Sequence, residues 1–388
     1  MIAEQEETQD FKLDLAQKAF LLKHPEIEGV DQVKLKSELL DYVFDKDLAA
    51  VYEHLCEEFG WDVDDMRLQA MKAKNAEKAK ELDEKIKDAE ENLGETDVRD
   101  ACLAKANYFA DIGDREKAFK AYEVTEEKTP SVGNKIDLVF SQIRLDILYK
   151  DWHSVKKNLV KVKKFCDEGG DWERKNKVKV YEAVYCISTR DMKRAADLFL
   201  DATATFATPE LFPFSSCIFY AVVTSMIALD RVSLKKRVVD APEILTVIEE
   251  VPHLAPLLNS LYNCSYSEFF QALCKISEQI RKDMYLHPHF RYYLREIRVM
   301  AYSQFLESYK SVTMKSMAAA FNVGENFLDK EISDFIVAGR LHAKIDKVAG
   351  VIETNRPDAR NALYQQTIKQ GDLLLNRIQK LSKVIDLE

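Results

Sequence analysis

Two histidines, His287 and His289, flank Pro288 and form the only closely spaced histidine pair in the chain. A His-x-His pair holds zinc only when a third and a fourth ligand converge on it. A zinc hydrolase of that type takes an Asp eleven residues past the second histidine, and Met300 stands there, so the pair reads as a structural loop. The seven cysteines are scattered without a Cys-x-x-Cys, which fits free thiols in a reducing compartment. Cys186 and Cys274 fall in apolar helical stretches, where thiols are usually inert. Gly169-Gly170 is a lone pair that suits a helix C-terminus better than a phosphate loop. There is no His-Glu-x-x-His, Gly-x-Ser-x-Gly, Gly-x-x-x-x-Gly-Lys or Gly-x-Gly-x-x-Gly. The expectation is a chain without catalysis, cofactor or metal.

Composition narrows the elements that could carry any other function. Eleven Gly and nine Pro are about 5 % of 388 residues, against a usual value near 12 %, so the chain is expected to be mostly helix. Apolar residues at 47 % and charged residues at 31 % suffice for a packed core. The balance of 56 basic against 66 acidic residues, net −10, does not steer the chain towards nucleic acid. The longest near-apolar run, Cys217 to Leu229, has 13 residues. A bilayer span needs about 20, so this run is expected to be a buried core helix, and no membrane partner is expected. Met1–Glu7 lacks the basic and apolar stretches of a signal peptide, which points to a soluble intracellular chain.

Along the chain, residues 1–60 read as short helices. Residues 61–95 contain a long charged helix, Met66 to Leu93, whose seven basic and seven acidic side chains cancel. Leu82, Ile86, Ala89 and Leu93 form a thin seam on it, which favours a solvated linking helix over a dimeric coiled coil. Gly94 ends it and Thr96 is placed to cap the next helix.

Residues 96–205 repeat. Asp114, Asp151 and Asp191 recur at intervals of 37 and 40, each followed by a small residue (Ala118, Val155, Ala195) and then a large one (Tyr122, Leu159, Phe199). The Asp caps the second helix of a pair, the small residue lets two helices approach, and the large one fills the groove between pairs. Ala106, Phe109, Gly113, Ala118, Tyr122 and Pro130 also fall at tetratricopeptide spacings. The fold class expected is mainly α: a right-handed helix-pair solenoid, whose concave surface binds proteins more often than it catalyses. Within it, Glu168–Asn176 joins two repeat helices, with Asp171 placed to cap and Trp172 to plug the joint. That corner is either rigid packing or a docking loop offering Asp171, Trp172 and Arg174.

Residues 206–298 continue as helices punctuated by prolines, and residues 299–355 run helix, short strand (Ser311–Thr313), helix, helix, hairpin, the order of a winged helix. The third helix, between Gly324 and Gly339, places Phe327, Leu328, Ile332, Phe335 and Ile336 on one face. It carries four acids against one lysine, which disfavours DNA reading and leaves a winged-helix nucleic-acid binder as a weak alternative. Protein contact is expected through the hairpin edge at Leu341, Ala343 and Ile345, with Val348 and Val351 on the same hairpin. In residues 356–388, Leu374, Ile378, Leu381 and Ile385 step by four, three and four, a seam that either folds back or joins helices of other chains.

Helical repeats, a winged helix and a terminal helix together resemble the PCI family, the scaffold subunits of the proteasome lid, the COP9 signalosome and a translation initiation factor. The stretches Glu168–Asn176, Asp240–Leu245, Gly339–Asp346 and Glu353–Pro357 are similar to the proteasome-lid branch of that family, its plant members above all. The resemblance implies a PCI module, a hetero-oligomer and a cytoplasmic and nuclear location. It implies a role in ubiquitin-dependent proteolysis, with winged helices aligned edge to edge and terminal helices bundled. The implied partners are PCI neighbours such as non-ATPase subunits 3 and 11, the lid deubiquitinase and the ATPase ring. The first subunit of the COP9 signalosome is the related alternative. The family carries no catalytic or metal residues.

Overall fold

Three aspartates set the frame of a computed structural model that describes residues 10–92, 94–354 and 359–385. Asp114, Asp151 and Asp191 each accept a hydrogen bond from a backbone N–H three residues on, at Lys117 (3.1 Å), Ser154 (3.1 Å) and Arg194 (3.2 Å). The residue before each aspartate is left-handed: Gly113, Lys150 and Arg190 have φ of +85°, +56° and +65°. Each aspartate's own N–H then reaches back to the carbonyl of Phe109, Asp146 or Cys186. One set of bonds therefore ends one helix and starts the next, three times over. At the first turn only glycine fits, because a Cβ on Gly113 would lie 2.5 Å from Val51 Cγ2.

These turns join α5 (Glu95–Ile112) to α6 (Arg115–Glu127), α7 (Val132–Leu148) to α8 (Trp152–Gly169), and α9 (Trp172–Ser188) to α10 (Met192–Thr203). Ala118, Val155 and Ala195 are buried where the paired helices touch, and Tyr122, Leu159 and Phe199 are buried beyond them. The repeat read from the sequence is the repeat of the fold.

The chain forms two compact units, one of residues up to 263 with 271–294, the other of 264–270 with the residues from 295 onward. In the first, α1 (Phe11–Lys23), α2 (Gln32–Asp45) and α3 (Ala49–Phe59) precede the 28-residue α4 (Asp65–Asn92). The long helix is seated rather than suspended. Leu68 and Met71 enter a core with Leu39, Val43 and Leu55, and Ala89 is buried further along. Asp83 pairs with Lys105 of α5 (2.5 Å) and Glu90 pairs with Lys128. Leu82 and Ile86 are half-buried, while Leu93 lies outside the described residues. Gly94, not Thr96, is the N-cap of α5; Thr96 lies in its first turn, and Asp97 Oδ2 accepts from the Gly94 N–H at 3.3 Å.

Helix α1 is strapped across the repeats by polar bonds. Asp10 pairs with Arg144 of α7 (2.9 Å) and Lys12 with Asp111 of α5 (2.8 Å). The Gln17 side chain donates to the Lys282 carbonyl and accepts from the Met284 N–H. The unit continues through α11 (Phe214–Ala228), of which Cys217–Met226 is wholly buried, α12 (Arg231–Leu234) and a π-helical turn at Lys235–Val239. Next come α13 (Pro242–Val247), α14 (Leu254–Tyr262), α15 (Tyr266–Lys282) and a 3₁₀ turn at His287–His289 that leads into α16 (Phe290–Glu307). No helix among the described residues is long and apolar enough to cross a membrane.

The second unit takes the start of α15 and α16 from Arg295 onward, and adds β1 (Ser311–Thr313), α17 (Met314–Phe321), α18 (Glu325–Val337), β2 (Ala343–Asp346), β3 (Val351–Thr354) and α19 (Ala359–Ile385). The sheet is antiparallel in the order β1-β3-β2, with Val312 opposite Ile352 and Ile345 opposite Ile352 on the other side. Its core is aromatic: Phe321 lies 4.7 Å from Tyr266 and 4.9 Å from Tyr302, ring to ring, and Leu328, Ile332 and Ile352 are fully buried. This is a winged helix. One expected core residue differs: Phe327 is half-exposed, because the buried stripe of α18 runs through Leu328, Ile332 and Phe335.

Candidate protein-interaction surfaces

The hairpin is fixed at its tip. Asp346 Oδ1 accepts from the N–H groups of Val348 (2.9 Å) and Ala349 (3.2 Å), and Lys347 reaches Asp329 of α18 at 3.1 Å. Val348 stands fully exposed on that tip. Strand β2 pairs with β3 on one side and with no other strand among the described residues. Leu341 and Ala343, expected as contact side chains, are buried in their own unit, and Ile345 and Val351 are half-buried. Alternation explains this: the apolar half of the strand is consumed by the core, so the edge offers backbone groups flanked by exposed Lys344 and Asp346.

Helix α19 keeps every described side chain, residues 363–383, in solvent. Leu374, Ile378 and Leu381 are exposed, and so are Leu363, Tyr364, Ile368, Leu373 and Leu375. The side chain of Ile385 lies outside the described residues. Tyr364 and Ile368 extend the seam by two turns towards the N-terminus, an extension hidden in the sequence by Gly371. An apolar stripe of this length on a helix is normally covered.

The Glu168–Asn176 corner is built differently from the reading given by its residue types. Asp171 occupies the N-cap position of α9, yet its carboxylate makes no capping bond and instead accepts from Arg174 Nη1 at 2.8 Å. Arg174 also donates twice to Asp137 of α7, Nε to Oδ1 at 3.0 Å and Nη2 to Oδ2 at 2.7 Å. Its guanidinium lies so close to Gly133 that a Cβ there would stand 3.0 Å from Nη1. The joint is therefore closed by Arg174, and Trp172 is 67 % exposed.

A groove of about 810 Å³ lies between α6 and α8, lined by Arg115, Lys156, Lys157, Lys161 and Lys164 around Phe119 and Val160. Glu123 also lines it and Glu126 pairs with Lys161, while Lys156, Lys157 and Lys164 make no ion pair among the described residues. Such a groove favours anionic groups. Beneath it Arg115 donates to Asp146 Oδ1 at 2.8 Å and to Asp151, while Asn158 donates to Asp146 Oδ2 at 3.0 Å. Burial raises the Asp146 pKa, and the hydrogen bond from Arg115 lowers that of Asp151.

The two histidines of the 287–289 turn part company. His287 Nδ1 contacts the Arg281 carbonyl at 2.7 Å and its ring meets His24 at 4.4 Å; His289 Nε2 contacts the Ser188 carbonyl at 2.9 Å. No group of three or more His, Cys, Asp or Glu gathers in a metal-binding arrangement among the described residues. Cys186 is buried, its pKa pushed up to about 11 by that burial. Cys274, expected beside it as a sheltered thiol, is exposed on the outer face of α15.

Comparison with known proteins bears on the same three regions. The profile of 26S proteasome subunit RPN7 matches residues 64–237, a PCI domain profile matches 251–356, and the RPN7/PSMD6 C-terminal helix profile matches 364–385. The 26S proteasome non-ATPase regulatory subunit 6 homolog of Arabidopsis thaliana is 58 % identical over 98 % of this chain and 99 % of its own. The chain belongs to the RPN7/PSMD6 family of 26S proteasome regulatory subunits. The Oryza sativa subsp. japonica member is also 58 % identical, over 97 % of this chain and 96 % of its own length. RPN7 of Saccharomyces cerevisiae is 36 % identical over 96 % and 93 %. In this family chain the PCI profile covers the winged helix, and the family's C-terminal helix profile falls on the exposed stripe of α19.

Proposed function

We propose that this RPN7/PSMD6-family chain is a non-catalytic scaffold of the proteasome regulatory lid, working in the cytoplasm and nucleus in ubiquitin-dependent protein degradation. The repeats act as an arm, the winged helix as a lateral connector through the β2 edge and Val348, and α19 as a bundling device. Its partners in this reading are other lid subunits, among them PCI neighbours such as non-ATPase subunits 3 and 11 and the lid deubiquitinase, together with the ATPase ring. The basic groove between α6 and α8 suits an acidic segment of one such neighbour.

One observation carries this reading: a 27-residue helix whose apolar side chains, from Leu363 to Leu381, are all in water. Burying a single leucine is worth about 2 kcal/mol, so a stripe of this size gives a strong drive to helix–helix association. Deletion of residues 358–388 tests it. The arm is expected to stay folded and soluble while the chain fails to enter the lid on a native gel. Normal lid assembly by the truncated chain rejects the bundling role.

A further inference from the structure

Trp172 is the first residue of α9 and stands 67 % exposed on a corner that is otherwise locked. A tryptophan in solvent forfeits more apolar burial than any other side chain, so a fixed and exposed indole is a candidate contact anchor. The lock is visible in Arg174, two residues on, which is clamped between Asp171 and Asp137 by three hydrogen bonds and lies against Gly133. The next segment back is equally constrained: a Cβ on Gly170 would lie 2.8 Å from Cys166 Cα. The indole is thus presented on a rigid mount, and its ordering costs a partner little.

The surroundings define what would bind. Asp167 and Glu168 are exposed and make no ion pair among the described residues. Asp171 and Glu173 already have cations of their own, Arg174 at 2.8 Å and Lys177 at 3.6 Å, so the carboxylates left over at the corner are Asp167 and Glu168. Lys175, exposed one turn along the helix, is not over the ring. Elsewhere the protein completes a similar arrangement internally: Lys36 places its ammonium 4.1 Å from the Trp61 ring centre. Among the described residues neither a cation nor an aromatic ring covers Trp172. An exposed indole on a corner that also carries exposed carboxylates at Asp167 and Glu168 attracts a guanidinium or ammonium group through both the ring quadrupole and direct charge.

We propose that Trp172, with Asp167 and Glu168, receives an arginine- or lysine-bearing segment of a neighbouring polypeptide. This deepens the scaffold reading and rests on it, but it concerns a surface separate from α19. The test places a photo-reactive phenylalanine at position 172 of the full chain, assembled into its complex, and maps the adducts by mass spectrometry. Adducts on a segment with an Arg or Lys within a few residues are expected. Incorporation of the chain with no adduct, or adducts only on segments lacking a cation, overturns the proposal while leaving the scaffold reading intact. As a second measurement, an arginine-rich and a glutamate-rich peptide are titrated into the full-length chain, following the heat of binding by calorimetry. The arginine peptide is expected to bind about five-fold more weakly to Trp172→Ala and near normally to Trp172→Tyr, a loss of the size expected for one cation–π contact. Equal affinity for the wild type and Trp172→Ala also overturns it.

Discussion

Arg115, the first residue of α6, donates a 2.8 Å hydrogen bond to the fully buried Asp146 of α7 and a second bond to Asp151, the N-cap of α8. One guanidinium thereby couples the first helix pair to both helices of the second. It is also the one cation paired with Asp146 among the described residues.

Arg115→Ala is expected to destabilise the arm by about 2 kcal/mol in a denaturant titration. Breaking a fully buried pair costs about 3–5 kcal/mol, and Arg115 itself is one-third exposed, which screens part of the interaction. An effect below about 0.5 kcal/mol contradicts the coupling.

The three caps are expected to be unequal. Asp191→Ala, which removes only the bond to the Arg194 N–H, costs about 1 kcal/mol. Asp151→Ala removes the cap and one Arg115 contact together, so its loss is the larger of the two in thermal unfolding.

Acid is expected to loosen the contact between α1 and the 287–289 turn. The His24 pKa is lowered from 6.5, first by burial and then by His287 at 4.4 Å, with Glu26 opposing and Lys150 and Lys23 reinforcing. A histidine with a lowered folded pKa contributes stability that is complete above pH 6.5 and is lost as pH falls through the folded value. His24→Asn is expected to flatten the stability profile between pH 7.5 and 5.5, read by the unfolding midpoint.

Thiol reactivity is expected to split the cysteines. Cys274 is exposed and labels first with a maleimide at neutral pH. Cys186, buried and pushed up to about 11, labels only on unfolding. Cys274→Ser should remove the fastest phase; its persistence contradicts the exposure described for α15.

Ile378→Gln with Leu381→Gln is expected to leave the isolated chain's stability within about 0.5 kcal/mol, because both side chains are already in water. The same pair should weaken incorporation into the complex, read by native gel. A large loss of stability in the isolated chain means that α19 docks on its own unit.

The sequence by itself determined whatever rests on local spacing. Caps at Asp114, Asp151 and Asp191, the small-then-large packing pairs, the winged-helix order and the α19 seam all follow from periodicity, because neighbours on a helix or strand are neighbours in the chain. The left-handed Lys150 and Arg190 were not legible, since only the first of the three turns spends a glycine on that conformation.

Tertiary structure decided which side of a residue is used. Trp172 turns outward because Arg174, reaching to Asp137 on another helix, closes the joint in its place. Leu341 and Ala343 turn inward because β3 and α18 provide the core that receives them. The lysines of α8 become a groove only when Arg115 of α6 faces them. Each depends on a partner in another element, from about ten residues away for Ala343 and Thr354 to 37 for Arg174 and Asp137, and a spacing rule within one element has no access to it.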